Sequence, residues 1–487
     1  MVERARPTAN FRLLIVNGTV YMERYRQPYQ TRDVFTWWGI LQLMRRYPGR
    51  LPDLDLMFDC DDLPTIRSDD YKGPLASAPP PLFRYCADNS TLDIVFPDWS
   101  FWGWPEINIK PWGQMLKQLR EINKMMIWSK KEPYAYWKGN PNKYQNRLHL
   151  MKCNSSHNQD WNARIYVQDW KKEVRKGFKN SDLAKQCIHR YKIYVEGNSW
   201  SVSEKYILAC NSMALIVKPI YYDFFTRSLM PLKHYWPIKE QDMCRSIKFA
   251  VDFGNSHQPL AQEIGNMGSK FVQEELKMEY VYDYMFHLLN EYSKLLLYKP
   301  TVPKKAVEYC SEVMGCSASG FVKQSMKESV EIGPSNTEPC TMPPPFDSTT
   351  LRDFLDEKEN QTKEVEHATK GHSYVNARFA PAYERKRASY LSDLPLALLK
   401  QYSQGKDRWH SAALTDVSDW TPHLDHLIYD HPAERTPLLS EILAGSEVSK
   451  KGYLVGAFLG LIRIPFLRNP MVHASVRRGY RTVPGKH

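Results

Sequence analysis

The stretch HRYKIYVEGNSWSVSEKYILACNSMALIVKP, residues 189–219, contains two apolar runs separated by a Gly- and Ser-rich loop. The run YILACNSMALIV (206–217) is apolar on both faces, which is typical of a buried parallel strand flanked by helices. Upstream, RLHLMKC (147–153) and RIYVQDW (164–170) continue the same alternation of helix and strand. A chain that alternates in this way predicts a doubly wound α/β sheet.

A second α/β half is expected before Trp137. The elements predicted there are a β-hairpin, a strand and an amphipathic helix, in FRLLIVNGTVYM (11–22), DLDLMF (53–58) and PWGQMLKQLREINKMMIW (111–128). We therefore predict two lobes with a cleft between them. Residues 1–136 form the N-terminal lobe, and residues 137–345 form the second lobe with its C-terminal helices.

The chain after the second sheet divides into three parts. The tyrosine-rich stretch 255–297 has apolar residues at helical spacing and predicts a helix that packs on the preceding lobe. Three cysteines and the run CTMPPP indicate that residues 310–345 are held by disulfides rather than by packing. Residues 346–487 are assigned to a linker and an unrelated C-terminal tail. Beyond His367 none of the nine cysteines occurs but seven of the fourteen histidines do, and we expect this part to be dispensable for ligand binding.

Two motifs in the tail carry weak signals. HLDHLIYDH (423–431) has no companion metal-ligand motif, so a solvated helix is favoured over a metal site. GYLVGAFLGLIRIPFL (452–467) is too short for a membrane-spanning helix and contains Arg463. The basic residues around it leave an interfacial helix, and hence membrane association, open.

Charge and cysteine content limit the class of protein. A net charge of +12 and a pI near 9.0 favour anionic ligands, but no Lys/Arg block with interleaved aromatic residues predicts a nucleic-acid partner. Nine cysteines without CxxC or Cys/His zinc spacing indicate disulfides rather than a structural metal site. Four glycosylation sequons also favour the secretory pathway, and they begin at Asn17, Asn89, Asn154 and Asn360. The first residues lack a signal-peptide pattern, which leaves a cytosolic protein or a missing N-terminus as alternatives.

Four tryptophans, two phenylalanines and three prolines lie within FPDWSFWGWPEINIKPW (96–112). The prolines exclude one continuous helix, so a compact loop is expected. This loop is either a hydrophobic plug on the core or the lining of a concave site, where flat sugar or nucleotide faces pack on aromatic rings. In the second case the substrate-cleft residues are Trp99, Phe101 and Trp102.

Three polar clusters are candidates for chemistry. Asp59, Asp61 and Asp62 follow the predicted strand 53–58, where one carboxylate can serve as a general base. An acidic surface turn and an Asp-x-Asp metal ligand pair are the alternatives. The turn WKGN (137–140) and the Gly- and Ser-rich loop (196–212) offer backbone N–H groups and lysines to an anion.

Five stretches together closely resemble the plant members of the Rumi-like protein O-glucosyltransferase (capsule-associated, CAP) family. They are DLDLMFDCDDLP, FPDWSFWGWPEINIKPW, WKGNPNKYQNRL, YVEGNSWSVSEKYILACNSMALIVKP and EELKMEYVYDYMFHLLNEY. The resemblance covers residues 1–365 and implies a two-lobed GT-B glycosyltransferase of the endoplasmic reticulum or Golgi lumen. Such an enzyme transfers glucose or xylose from UDP-glucose or UDP-xylose to a hydroxyl, with inversion and with neither a bound metal nor another cofactor. The acceptor is a protein or a polysaccharide, and in animal members it is a serine of a folded epidermal-growth-factor-like domain.

The resemblance also assigns site residues. The family's catalytic aspartate precedes an aromatic residue and a proline, and DCDDLP places Asp62 there with Leu63 in the aromatic position. Animal members carry an arginine near the position of Ser203 that faces the diphosphate, and its absence here gives more weight to Lys205, Lys138 and Arg147. The residues expected to bind the donor are therefore Lys138, Gly139, Arg147, Gly197, Ser201, Lys205 and Ser212.

The family pattern further implies a disulfide between Cys187 and Cys210. The resemblance begins inside the family's domain, so we expect the chain to be a fragment of such an enzyme. The alternative is a non-catalytic relative that retains the fold and binds a glycan or a protein. It is favoured by the missing start of the domain and by Leu63 and Ser203, which differ from the family pattern.

Overall fold

The structure is a computed structural model that describes residues 1–73, 77–342 and 344–370. Two β-sheets flanked by helices organise this part of the chain, one mixed and one parallel. The prediction of an α/β protein with two GT-B-like lobes is therefore confirmed. The two tail motifs at 423–431 and 452–467 lie outside the described residues.

The first sheet is mixed. Its strands are β1 (Phe11–Val16), β2 (Thr19–Arg24), β3 (Leu54–Phe58), β4 (Leu82–Arg84), β5 (Ile94–Val95) and β11 (Val307–Tyr309). They lie in the order β11-β2-β1-β3-β4-β5. Strands β1 and β2 form the predicted hairpin, with Asn17 and Gly18 at positive φ in its turn. Because β3, β4 and β5 are parallel, their carboxyl ends meet at one edge, where the acidic cluster follows β3.

The second sheet is entirely parallel. Its strands are β6 (Glu132–Gly139), β7 (Ala163–Val167), β8 (His189–Tyr194), β9 (Met213–Val217) and β10 (Trp236–Ile238). The strands lie in the order β10-β9-β8-β6-β7. The strand that follows β6 in the chain therefore lies on one side of the β6–β8 pair, and the strand that follows β8 lies on the other side. Ligands of such sheets bind outside the carboxyl ends of the two strands where the direction changes. The predicted lobe boundary after residue 136 falls inside β6, and the division of the chain into domains stays a prediction.

Eleven α-helices complete the described residues. They are α1 (Arg32–Arg46), α2 (Trp112–Met125), α3 (Gln145–Met151), α4 (Trp170–Arg175), α5 (Ser203–Leu208), α6 (Met243–Ser256), α7 (Gln258–Lys270), α8 (Met278–Ser293), α9 (Ser311–Ser317), α10 (Gly320–Glu328) and α11 (Ser348–Lys370). Helix α2 is the predicted amphipathic helix. In this part of the chain no helix is both long and apolar enough to cross a membrane.

The run at 206–217 is not one strand. Its first residues end α5, and its last five form β9. Between them Asn211 has a φ of 50°, the left-handed conformation that commonly follows a helix end. The prediction failed because a short apolar run does not distinguish a buried helix from a buried strand.

The stretch 255–297 is not one helix either. It comprises the end of α6, then α7, a π-helical turn at Phe271–Glu275, and α8. Helix α8 packs on the first lobe rather than on the preceding one, since the Tyr292 hydroxyl donates to the Asp55 carbonyl at 2.7 Å. The Tyr284 hydroxyl donates similarly to the Val95 carbonyl at 2.8 Å. Periodicity shows that a helix is buried, but it does not show against which lobe.

Two disulfides lie in the second lobe. The pairing of Cys187 with Cys210 is confirmed, with Cα atoms 4.8 Å apart, and the second disulfide joins Cys153 to Cys244. The prediction that disulfides hold residues 310–345 is wrong for Cys310 and Cys316, which carry free thiols. This segment instead lies against α1, where Glu331 pairs with Arg46 at 3.0 Å and its N–H donates to Gln42 at 2.9 Å.

Replacing Cys187 and Cys210 together with alanine is expected to lower the free energy of unfolding by about 2–4 kcal/mol, because the unfolded chain loses a cross-link. Urea unfolding of the oxidised protein measures this. Cys316→Ala is the control, since its exposed thiol forms no disulfide. Parent stability in the double variant, or reactive thiols at both positions in the native protein, would contradict the assignment.

Candidate functional site

Asp62 lies where the two lobes meet. Its Oδ1 is 2.8 Å from Nη1 of Arg32, at the start of α1. Its Oδ2 accepts a hydrogen bond of 3.0 Å from Nδ2 of Asn198, which belongs to the loop after β8 in the second lobe. The Asp62 side chain is 33% exposed and each carboxylate oxygen has one partner, so a hydroxyl that needs a general base reaches it by replacing the more exposed of these partners.

Arg32 is the buried partner of this carboxylate. It is only 7% exposed, it also donates to the Cys60 carbonyl at 2.9 Å, and its guanidinium lies 4.3 Å from the centre of a Trp99 ring. Because these contacts hold the Arg32 guanidinium in place, they also fix the position of Asp62 Oδ1. Sequence reasoning missed Arg32, because it lies on a helix far from Asp62 in the chain and belongs to no motif.

The loop after β8 approaches Asp62 from the second lobe. The Ser199 hydroxyl donates to the Asp62 carbonyl at 2.7 Å, and the Gly197 N–H donates to the Ser199 carbonyl at 2.8 Å. The Ser201 N–H donates to the Tyr194 hydroxyl at 3.1 Å. The sequence indicated this loop through Gly197 and Ser201. It missed Asn198 and Ser199, the two residues that contact Asp62.

Arg147 joins the carboxyl ends of the two strands at which the chain direction changes. Its Nε donates to the Glu196 carbonyl after β8 at 2.8 Å, and its Nη1 donates to the Asn140 carbonyl after β6 at 3.2 Å. Gly139 lies at the same end of β6, where a Cβ would come within 2.4 Å of the Trp137 ring. The structure thus brings Gly139, Arg147 and the Gly197 loop to one crevice.

A buried carboxyl lies at the same crevice. Glu196 accepts the N–H groups of Ile220 and Tyr221 at 3.1 and 2.8 Å. Burial raises its pKa to about 7 despite these hydrogen bonds. Glu196 therefore anchors the chain that follows β9 to the end of β8.

The other two aspartates of the acidic cluster differ from Asp62. Asp59 is fully buried and pairs with Arg84 and, at 3.1 Å, with Arg26. Asp61 pairs with the same Arg26 at 2.8 Å. The oxygens of the Asp-x-Asp pattern are therefore held by arginines, and no group of three or more potential metal ligands occurs among the described residues.

Comparison with known proteins identifies the family of the chain. Residues 1–369 match the family model of glycosyl transferase family 90. The chain belongs to glycosyl transferase family 90. It is similar to the O-glucosyltransferase rumi homolog of Aedes aegypti, 26% identical over 319 residues that make up 61% of this chain and 74% of the relative. It is also 26% identical to protein O-glucosyltransferase 1 of Homo sapiens over 280 residues, 54% of this chain and 68% of the relative.

A third relative is O-glucosyltransferase rumi of Drosophila melanogaster, 26% identical over 276 residues that make up 54% of this chain and 65% of the relative. The expected resemblance to Rumi-like O-glucosyltransferases is thus confirmed at the level of glycosyl transferase family 90. The assignment to its plant members stays a prediction.

Lys205 of this family 90 chain is not available to a diphosphate. It is 1% exposed, and its ammonium donates to Ser100 Oγ at 2.8 Å and to Asp98 Oδ2 at 3.3 Å. Burial opposes its charge, but the Asp98 carboxylate keeps the pKa of Lys205 above its ordinary value. Because Asp98 belongs to the first lobe, the pair holds the lobes together, and the predicted donor contact is corrected.

Two further residues predicted to bind the donor have other partners. The Lys138 ammonium donates to the Asn180 carbonyl and lines a cavity of about 890 Å³ on one side of the second sheet. Ser212 is 1% exposed and donates to the His189 carbonyl at 2.7 Å. Neither side chain contacts the loop that approaches Asp62.

The aromatic loop packs in the core of the family 90 domain. Trp99, Phe101 and Trp102 are 1%, 0% and 0% exposed, so the prediction that their rings line an open cleft is wrong for this conformation. The Trp102 indole donates to the Tyr282 hydroxyl at 3.0 Å, and the Trp99 ring lies edge-on to Trp200 from the second lobe. The plug interpretation therefore holds. The rings meet the site through Arg32 and through Trp200 of the loop after β8, both of which lie against Trp99.

Replacing Gly39 with alanine is expected to lower the free energy of unfolding by about 1–3 kcal/mol through overpacking. A Cβ on Gly39 in α1 would lie 2.4 Å from the Trp102 ring, although Gly→Ala ordinarily stabilises a helix. Gly113→Ala in α2 is the matched control, because the nearest atom to its Cβ is 3.9 Å away. Thermal unfolding distinguishes them, and equal shifts in both variants would show that the loop is loosely packed.

Proposed function

We propose that the protein transfers glucose from UDP-glucose to a hydroxyl of a protein or glycan acceptor, with inversion and without a metal ion. The observation that carries this is the Asp62 carboxylate, which lies between the lobes and accepts a hydrogen bond from Asn198 in the loop at the carboxyl end of β8. Ligands of parallel α/β sheets bind outside the carboxyl ends of the strands. The base that would accept the proton of the acceptor hydroxyl therefore lies next to the expected donor site.

The proposed reaction is a single displacement. The acceptor hydroxyl donates a hydrogen bond to Asp62, which takes the proton as the oxygen bonds to the anomeric carbon. The bond from that carbon to the diphosphate oxygen breaks on the opposite face, which inverts the configuration. UDP leaves with both electrons of that bond.

The charge of the leaving diphosphate requires donors at the crevice. The Arg147 guanidinium, which donates to the Glu196 and Val195 carbonyls behind the loop after β8, contributes positive charge there. Lys205 has no part in this proposal, since it pairs with Asp98. UDP-xylose is the alternative donor, and its rate of transfer is to be compared with that of UDP-glucose.

A location in the lumen of the endoplasmic reticulum or Golgi is part of the proposal. Two disulfides in the second lobe support it, because disulfides persist in oxidising compartments. The relatives named as O-glucosyltransferases support the glucose donor.

The purified protein should release UDP from UDP-glucose in the presence of EDTA, and faster when a folded epidermal-growth-factor-like domain is added. UDP should also raise the melting temperature, since a ligand that binds only the folded state stabilises it. Binding of UDP without any turnover would leave a non-catalytic relative as the function. Loss of turnover in EDTA would overturn the metal-free mechanism.

A further inference from the structure

The two carboxylate oxygens of Asp62 have partners of opposite character. Arg32, which holds Oδ1, is 93% buried and is itself fixed by the Cys60 carbonyl and the Trp99 ring. Asn198, which holds Oδ2, is an exposed residue. Breaking the first contact would leave a buried charge without its partner, which is costly, whereas an exposed amide exchanges its hydrogen bond for one to water.

The loop that carries Asn198 is attached independently of this amide. The Ser199 hydroxyl binds the Asp62 carbonyl at 2.7 Å, and the Gly197 N–H closes the turn onto the Ser199 carbonyl at 2.8 Å. The backbone therefore stays beside Asp62 when the Asn198 side chain rotates. Rotation about its side-chain bonds uncovers Oδ2 without separating the lobes.

We propose that Asn198 is a specificity-determining gate, which covers the base oxygen until an acceptor hydroxyl replaces its amide. The inference rests on the proposed function. A hydroxyl bound to a general base must lie about 2.6–3.2 Å from the base oxygen. The Asn198 amide nitrogen lies 3.0 Å from Oδ2 and so occupies the position that the acceptor oxygen would take.

The gate discriminates between an acceptor and water. A water molecule on Oδ2 would be activated in the same way as an acceptor hydroxyl, and its attack would hydrolyse the UDP-sugar. A bound acceptor has many contacts with which to displace the amide, whereas a single water has only its own hydrogen bonds. The amide therefore suppresses wasteful hydrolysis more than it suppresses transfer.

The test measures two rates in the same variants, UDP release without acceptor and glucose transfer to a folded epidermal-growth-factor-like domain. Asn198→Ala should raise the ratio of hydrolysis to transfer about twofold to tenfold, which corresponds to the loss of one ordinary hydrogen bond. It should also lower the KM for the acceptor. Asn198→Leu, which keeps roughly the size of the side chain but cannot donate, should also raise the ratio. Asn158→Ala, an exposed asparagine in another loop, is the control and should leave both rates unchanged.

The outcomes separate the inference from the proposed function. If the parent releases no UDP from UDP-glucose with or without acceptor, the proposed function fails. If the parent is active but Asn198→Ala leaves the ratio unchanged, or lowers both rates together, the gate is refuted while the function stands. Melting temperatures of all variants exclude unfolding as the cause of any change.

Discussion

Asp62→Asn is expected to lower the rate of sugar transfer by about 10²–10⁴-fold, the usual contribution of a general base. The amide keeps the size of the side chain, and its oxygen still accepts from Arg32, but it cannot take a proton from the acceptor. Donor binding should barely change, because Asp62 faces the acceptor. Initial rates of transfer and the UDP-induced shift in melting temperature measure the two effects.

Asp61→Asn is the matched control for this variant. Asp61 lies next to Asp62 and is 47% exposed, but its partner is Arg26 of the first lobe. Its replacement should change transfer much less. If both variants were equally impaired, or if Asp62→Asn kept the parent rate, Asp62 would not be the base.

Lys205→Met is expected to lower the free energy of unfolding by about 3–5 kcal/mol, because it leaves the buried Asp98 carboxylate without its cation. Both side chains are nearly inaccessible, at 1% and 2% exposure. Urea unfolding measures the loss. Adding Asp98→Asn to this variant should restore part of it, since the unpaired charge is then removed.

The exposed pair between Lys248 and Asp252 provides the control, because Lys248→Met breaks an i,i+4 contact worth only about 0.3–0.5 kcal/mol. The UDP affinity of folded Lys205→Met is a second readout. A large loss of affinity with parent stability would restore Lys205 as a donor ligand and contradict the buried ion pair.

The sequence predicted features that depend on local pattern. The hairpin at 11–22 and helix α2 follow from turn residues and apolar spacing, and the structure confirms both. The pairing of Cys187 with Cys210 followed from the family resemblance and is also present. Asp62, Gly197 and Arg147 all lie just beyond strand ends, where α/β sheets collect polar residues, and their roles in catalysis and donor binding stay predictions.

Contacts between distant segments were not predictable from pattern. Lys205 lies in a Gly- and Ser-rich region, where a lysine suggests a phosphate ligand, but its carboxylate partner is 107 residues away in the aromatic loop. Arg32 was missed for the same reason, since only the folded chain places it against Asp62. An exposed amide such as Asn198 gives no signal in a single sequence at all.

The apolar core has a consequence for how the protein moves and unfolds. One continuous cluster of buried residues includes Leu13 of the first sheet, Trp99 of the aromatic loop, and Trp200 and Ile216 of the second lobe. Rotating one lobe against the other would expose this shared interior to water, at about 25 cal/mol for each Å² of apolar surface. Separating the lobes would therefore cost free energy in proportion to the apolar area that they share, and neither lobe is expected to fold when it is produced without the other.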